Sequence, residues 1–286
     1  MEVIELAIPA LVFFLMFIIG ANLEKRDVSE VKAQNKKILL LTLGQIVLLP
    51  LCAWSIIKLT NPPALVAGGM LLVSLCPGGA VSNIYSFLAR ANVALSVTLT
   101  AFNGLVAVFI LPVVVVTVFP ALLTVDLALE NLMMKQALQL VLLLLCPVVL
   151  GMTLRYWKPV LIQKMMPTFE KIGGIGLLLL LLTILAKFQH KIAEQLSYLV
   201  LLALVFTLTS IFIAYCLGRI LKLCQSDQAA VVIEFPVRNL ALAALIAVNP
   251  FQNSDYLLFS AVFFVTQTPI MLAITAWYRS QLSINK

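Results

Sequence analysis

The chemistry of this chain turns on Glu234. It lies in VVIEFPVRNLALAALI (231–246), an apolar stretch that also holds Pro236, Arg238 and Asn239. A carboxylate at mid-bilayer costs on the order of 3 kcal/mol and needs a partner. Arg238, four positions on, would give a buried ion pair; a bound cation is the other choice. Pro236 between them disrupts the helical register, so spacing alone does not decide. A second polar group starts at Ser82 and Asn83, just after Cys76-Pro77-Gly78-Gly79. Ser96 and Thr100 follow at i and i+4 and share one helix face. Hydroxyls, an amide oxygen and one carboxylate make an all-oxygen, singly charged set. Such a set suits a dehydrated Na⁺ better than Zn²⁺, which favours His or Cys. Each member also has a plainer role open to it. Ser and Thr in membrane helices bond their own backbone or join helices, and Asn83 could cap a helix.

The elements that carry these residues follow from composition. Of 286 residues, 63% are hydrophobic and 11% charged, where a soluble domain has about a quarter charged. With a mean hydropathy of +1.11, the chain reads as an all-α polytopic membrane protein in the lipid bilayer. Uncharged runs predict nine transmembrane helices, near 3–23, 38–59, 64–90, 92–119, 128–154, 168–187, 195–218, 226–248 and 253–279, within a single unit over 1–286. The opening MEVIELAIPALVFF carries two glutamates where a signal peptide would be basic, so the first run is expected to be a retained span. Fourteen basic residues fall on the side of the odd-numbered connections and the C-terminus, and four on the other. That bias predicts a bacterial inner-membrane protein with its N-terminus outside and its C-terminus cytoplasmic. The net charge of +7 is then topogenic, and no nucleic-acid partner is expected. The five cysteines lack a CxxC pairing and read as apolar fillers, and His190 reads as a surface residue in a connection. HExxH, GxSxG, paired membrane aspartates and a membrane histidine are all missing. The chain is therefore not expected to be an enzyme or to hold an organic cofactor.

Two spans stand apart. Pro77-Gly78-Gly79 interrupts the third and Pro236 the eighth, which predicts two broken helices. Asn83 precedes Pro112 by 29 residues and Asn239 precedes Pro269 by 30. The two blocks start from spans of opposite orientation, the pattern of inverted repeats, assigned here to 1–125 and 166–286. Irregular backbone at this depth must line a cavity or be buried in protein. The positive ends of the second half-helices, near Gly79 and Asn239, predict a small organic anion as substrate, such as a 2-oxo or hydroxy acid. Pro77 and Ala80 of the first break complete the set expected to face it. Two other readings compete. Glu234 could titrate against Arg238 in a proton-coupled or uncoupled carrier, or the chain could be a non-transporting sensor or scaffold.

CPGGAVSNIYSFLARANVALSVTLTA (76–101), EFPVRNLALAA (234–244) and GQIVLLP (44–50) resemble the bile acid:sodium symporter family, and the likeness covers essentially the whole chain. The resemblance implies a core domain with two crossing broken helices, and a panel domain that includes the first and sixth spans. It also implies the nine-span variety of the fold, opening at the family's second helix, and alternating access by rocking of core against panel. One sodium site is implied at Ser82, Asn83, Ser96, Thr100 and Glu234. A second is implied at Gln45, Glu234 and the carbonyls of Phe235 and Val237. Arg238 stands where that second site usually has a glutamine, and arginine carries no acceptor. The expectation is that its charge replaces the second ion, leaving one coupled Na⁺. Ala80 stands where the family often has threonine, which removes one polar contact to substrate.

Overall fold

The computed structural model describes residues 2–22, 35–123, 130–248, 251 and 254–284. Much of the basic first connection lies outside them, as does most of the VNPFQN stretch. Among the described residues the fold is helical, with no β-strand. Among the described residues six helices are long and apolar enough to cross a membrane, and two shorter apolar helices are Ala7–Asn22 and Ala64–Leu75. Bulky apolar side chains such as Phe109, Leu182, Phe212 and Trp277 lie on the outer surface, as expected of a face solvated by lipid tails.

Helix α1 (Glu2–Asn22) packs along α7 (Glu130–Trp157) and α8 (Pro159–Lys187). Only Lys158 separates α7 from α8. The expected start of that span near 168 is thus corrected to Pro159. Proline at the first helical turn gives up no hydrogen bond there and is preset for helix. Segmentation by charge misplaced the boundary because Lys164 and Lys171 ride on the helix, where lysine stems can lie along apolar surface. His190 sits exposed on a short helix, α9 (Gln189–Glu194), rather than in a loop.

The second expected span is one continuous rod with a fault in it. After α2 (Asn35–Leu43), the residues Gly44–Leu48 form a π-helical turn, and α3 (Leu49–Thr60) continues the path. Pro50 follows directly. Its missing N–H cannot bond the Ile46 carbonyl, and its ring crowds it, so the ladder slips by one residue. The slip leaves Gln45 fully buried, on the inner side of the rod.

The third and eighth spans are both interrupted. Helix α4 (Ala64–Leu75) ends at Cys76, which is extended at φ −68°, ψ 147°, the conformation favoured before a proline. The chain resumes as α5 (Val81–Leu88) and then α6 (Val93–Leu123). After α10 (Leu196–Ile220), α11 (Gln225–Glu234) stops just before Pro236, and α12 (Leu240–Val248) restarts beyond it. A 3₁₀ turn, Ser254–Tyr256, leads into the last helix, α13 (Leu257–Ile284).

The two interruptions cross and pair as antiparallel backbone. Gly78 bridges Arg238. The Gly79 N–H donates to the Val237 carbonyl at 2.9 Å, and the Asn239 N–H donates to the Pro77 carbonyl at 2.9 Å. Each break thus supplies hydrogen bonds that the other lost, the condition for irregular backbone to persist away from water. Glycine is required here by proximity. A Cβ on Gly79 would stand 2.8 Å from the Arg238 carbonyl, and one on Gly78 would overlap the Glu234 carboxylate. Every residue of α11 from Asp227 to Glu234, and of α12 from Leu240 to Ala247, is buried. This interrupted pair forms the centre of the molecule.

Candidate functional site

Glu234 is the last residue of α11 and is fully buried. Three hydroxyls converge on its carboxylate. Ser82 reaches Oε2 from α5, Ser96 reaches Oε2 at 3.1 Å from α6, and Thr100 reaches Oε1 at 2.7 Å from one turn further along α6. The Asn83 side-chain oxygen accepts from the same group, with Ser96 at 2.8 Å and Thr100 at 3.3 Å. The Ser82 hydroxyl also lies 2.8 Å from the Gly79 carbonyl. These contacts join α5, α6 and α11, so the hydroxyls link helices as well as converging on the acid. Asn83 does not cap α5, and Ser96 and Thr100 turn to the acid rather than to their own helix.

Three hydroxyls, each with one proton, make six acceptor contacts on Glu234, Asn83 and the Gly79 carbonyl. Half of those contacts lack a proton at any instant. A cluster so rich in acceptors and poor in donors favours a cation. Among the described residues no group of three or more His, Cys, Asp or Glu gathers to hold a metal. One carboxylate with four neutral side-chain oxygens matches a hard monovalent ion. Ser86, four residues after Ser82, donates to the Ser96 hydroxyl at 3.2 Å and extends the cluster. Its i+4 spacing was the one sign of it in the sequence.

Arg238 is buried at 4% exposure, and its hydrogen bonds do not go to Glu234. Nη1 donates to Gln45 Oε1 at 2.9 Å and to the Phe235 carbonyl at 3.4 Å. Nη2 donates to the Ser74 carbonyl at 3.2 Å and to the Cys76 carbonyl. The guanidinium therefore sits at the carbonyl ends of α4 and α11, where helix dipoles favour positive charge. Gln45, Phe235 and Arg238 meet at one place. The Val237 carbonyl is engaged by Gly79 instead.

A cavity of about 400 Å³ adjoins the crossing. Gly79, Ala80, Asn83, Thr100, Arg238 and Asn239 line it, together with residues of α1 and α8 that include Asn22 and Glu170. Asn239 caps α12, its side-chain oxygen accepting the Leu242 N–H at 3.1 Å. Pro77 does not line this cavity. It borders a separate void of about 20 Å³ together with Asn103, and its carbonyl is taken by Asn239. Asn22, Glu170 and Asn103 escaped sequence reasoning, since nothing local marks them.

A sequence model described as the sodium bile acid symporter family matches residues 9–196. That match takes in Gln45, Ser82, Asn83, Ser96 and Thr100 and stops short of Glu234. The chain is 30% identical over 234 residues to the probable sodium/metabolite cotransporter BASS1, chloroplastic, of Arabidopsis thaliana, covering 82% of this chain and 57% of that protein. It is 25% identical over 239 residues to the uncharacterized sodium-dependent transporter YocS of Bacillus subtilis (strain 168), covering 83% of this chain and 72% of that protein. It is 24% identical over 258 residues to the P3 protein of Homo sapiens, covering 90% of this chain and 52% of that protein. The chain thus spans well under two thirds of the length of the plant and human relatives. On these matches, the chain belongs to the sodium bile acid symporter family.

Proposed function

We propose that this chain is a sodium-coupled secondary transporter that carries a small organic anion, a carboxylate such as a 2-oxo or hydroxy acid, by alternating access. The observation that carries the reading is the surplus of acceptors around Glu234. Ser82, Asn83, Ser96 and Thr100 bring four neutral oxygens to one buried carboxylate beside a cavity of about 400 Å³. Na⁺ bound there would neutralise the carboxylate and fix the two breaks relative to α6. The substrate would occupy the adjoining cavity, held by Asn239, Asn83 and the backbone near Gly79 and Ala80 at the positive ends of α5 and α12. The nine-span count, the inverted repeats over 1–125 and 166–286, the division into core and panel, and a bacterial inner-membrane setting with the N-terminus outside all belong to this reading.

Arg238 bears on stoichiometry. Its guanidinium already occupies oxygens of Gln45 and Phe235 that a second cation would need. One Na⁺ then couples each cycle, with Arg238 as a resident positive charge. A Hill slope near two for Na⁺ in transport would overturn that stoichiometry.

The test is thermal stability of the detergent-purified protein in NaCl, KCl and choline chloride at matched ionic strength and two pH values. A ligand that binds only the folded state stabilises it by RT ln(1 + [L]/Kd). A Na⁺-selective rise that is lost in Glu234→Gln is the expected result. Equal stability in the three salts would overturn sodium coupling and leave Glu234 with a proton-linked or structural role.

A further inference from the structure

The cavity beside the crossing has a second polar group in its lining. Asn22 at the end of α1 donates to Glu170 Oε1 on α8 at 3.0 Å, and both residues line the same cavity as Asn239. Among the described residues Asn22 is the one hydrogen-bond partner of Glu170. The two side chains come from segments 148 residues apart, so the tertiary fold has brought a carboxylate to this wall. Much of the rest of the lining is apolar, with Ile19, Val97 and Leu177. Glu170 is exposed, and a carboxylate with no cation paired to it among the described residues, on the wall of a chamber that receives an anion, would repel its cargo. The repulsion disappears if the cargo presents a donor to that wall.

We propose that Glu170 reads the far end of the transported molecule, and that the substrate carries a hydrogen-bond donor, a hydroxyl or an ammonium, at the end opposite its carboxylate. The inference rests on the transport reading for the anionic head. It adds a second recognition point, chemically opposite to the first. Among the described residues Asn22 holds one carboxylate oxygen of Glu170 and no other group holds the second, which we assign to the cargo. A site built to pair a donor discriminates against the analogue that lacks it, because its own acceptor is then desolvated without a partner. The volume of the cavity is in the range of small-molecule sites, so a short chain bearing both groups can span it.

The experiment compares matched carboxylates as stabilising ligands of the purified protein in NaCl. The probes are butyrate, gamma-hydroxybutyrate and gamma-aminobutyrate, with valerate and its terminal hydroxyl and amino counterparts. The expected result is that donor-bearing acids bind roughly tenfold or more tightly than the plain acid of the same length. Glu170→Leu is expected to erase that preference. Glu170→Gln is expected to keep a preference for the hydroxyl while losing any for the ammonium. Equal binding of plain and donor-bearing acids, a preference that survives in Glu170→Leu, or no binding by any of them would overturn the proposal. The sodium reading is tested separately by the salt comparison on the same samples. A preference that depends on Glu170 but appears equally in KCl would sink sodium coupling and leave this inference standing.

Discussion

The Arg238 guanidinium donates to the Gln45 side-chain oxygen at 2.9 Å and thereby joins the π-helical turn of Gly44–Leu48 to the crossing of the two broken helices. An arginine at this place is a cation that cannot leave. Its carbonyl partners on Ser74, Cys76 and Phe235 belong to the ends of two half-helices, so it also holds those ends together.

Replacing Arg238 with glutamine is expected to free those oxygens for an exchangeable ion. The slope of stability against the logarithm of Na⁺ concentration should then rise toward twice its original value, because that slope counts bound ions. Arg238→Met removes the charge and supplies no acceptor. It is expected to cost about 1–3 kcal/mol, because the oxygens of Gln45, Ser74, Cys76 and Phe235 are left without a donor, without steepening the Na⁺ dependence. Thermal denaturation across a Na⁺ series measures both.

Gly78→Ala puts a methyl group where the Glu234 carboxylate lies. Either the carboxylate turns away from Ser82 and Thr100 or the crossing opens. The expected result is a loss of about 1–3 kcal/mol, together with loss of the Na⁺-selective shift. A variant that kept both would place the carboxylate elsewhere.

Ser96 touches both Asn83 and Glu234, whereas Ser86 touches only Ser96 within this cluster. Ser96→Ala is therefore expected to weaken Na⁺ stabilisation strongly, by about 1–3 kcal/mol, and Ser86→Ala by about 1 kcal/mol or less. Titrating Na⁺ against the melting temperature of each variant orders them. The reverse order would mean that Ser86 is the nearer ligand.

Asn103 is fully buried, and neither atom of its amide finds a partner among the described residues. It lies next to the void shared with Pro77. Asn103→Leu is expected to stabilise the protein by about 1 kcal/mol or more, because an unmet polar group is replaced by an apolar one with room to fit. A melting curve checks it, and a fall in stability would mean that the amide is satisfied in another conformation.

The breaks were legible in the sequence because Pro77, Gly78, Gly79 and Pro236 act locally. The helix face shared by Ser96 and Thr100 was legible because i,i+4 spacing is a property of one helix. What joins segments far apart was not. The meeting of Asn22 with Glu170, and the choice of Arg238 between Glu234 and the carbonyls of Ser74 and Cys76, depend on where distant helices end. The π turn was half visible. Pro50 announces a disturbance upstream of itself, yet nothing in GQIVLLP says whether the rod will bend or slip by one residue. The start of α8 was misread because lysines were counted as loop residues although their stems can lie on a helix.

The crossing is fastened by two backbone hydrogen bonds, Gly79 to Val237 and Asn239 to Pro77. Bonds of this kind are indifferent to what most side chains become. Side chains that line the cavity, such as Ala80 and Val97, can therefore change while these two backbone bonds stay in place. A lineage built on this crossing would be free to try new substrates at little risk to its fold, so long as glycine is kept at 78 and 79.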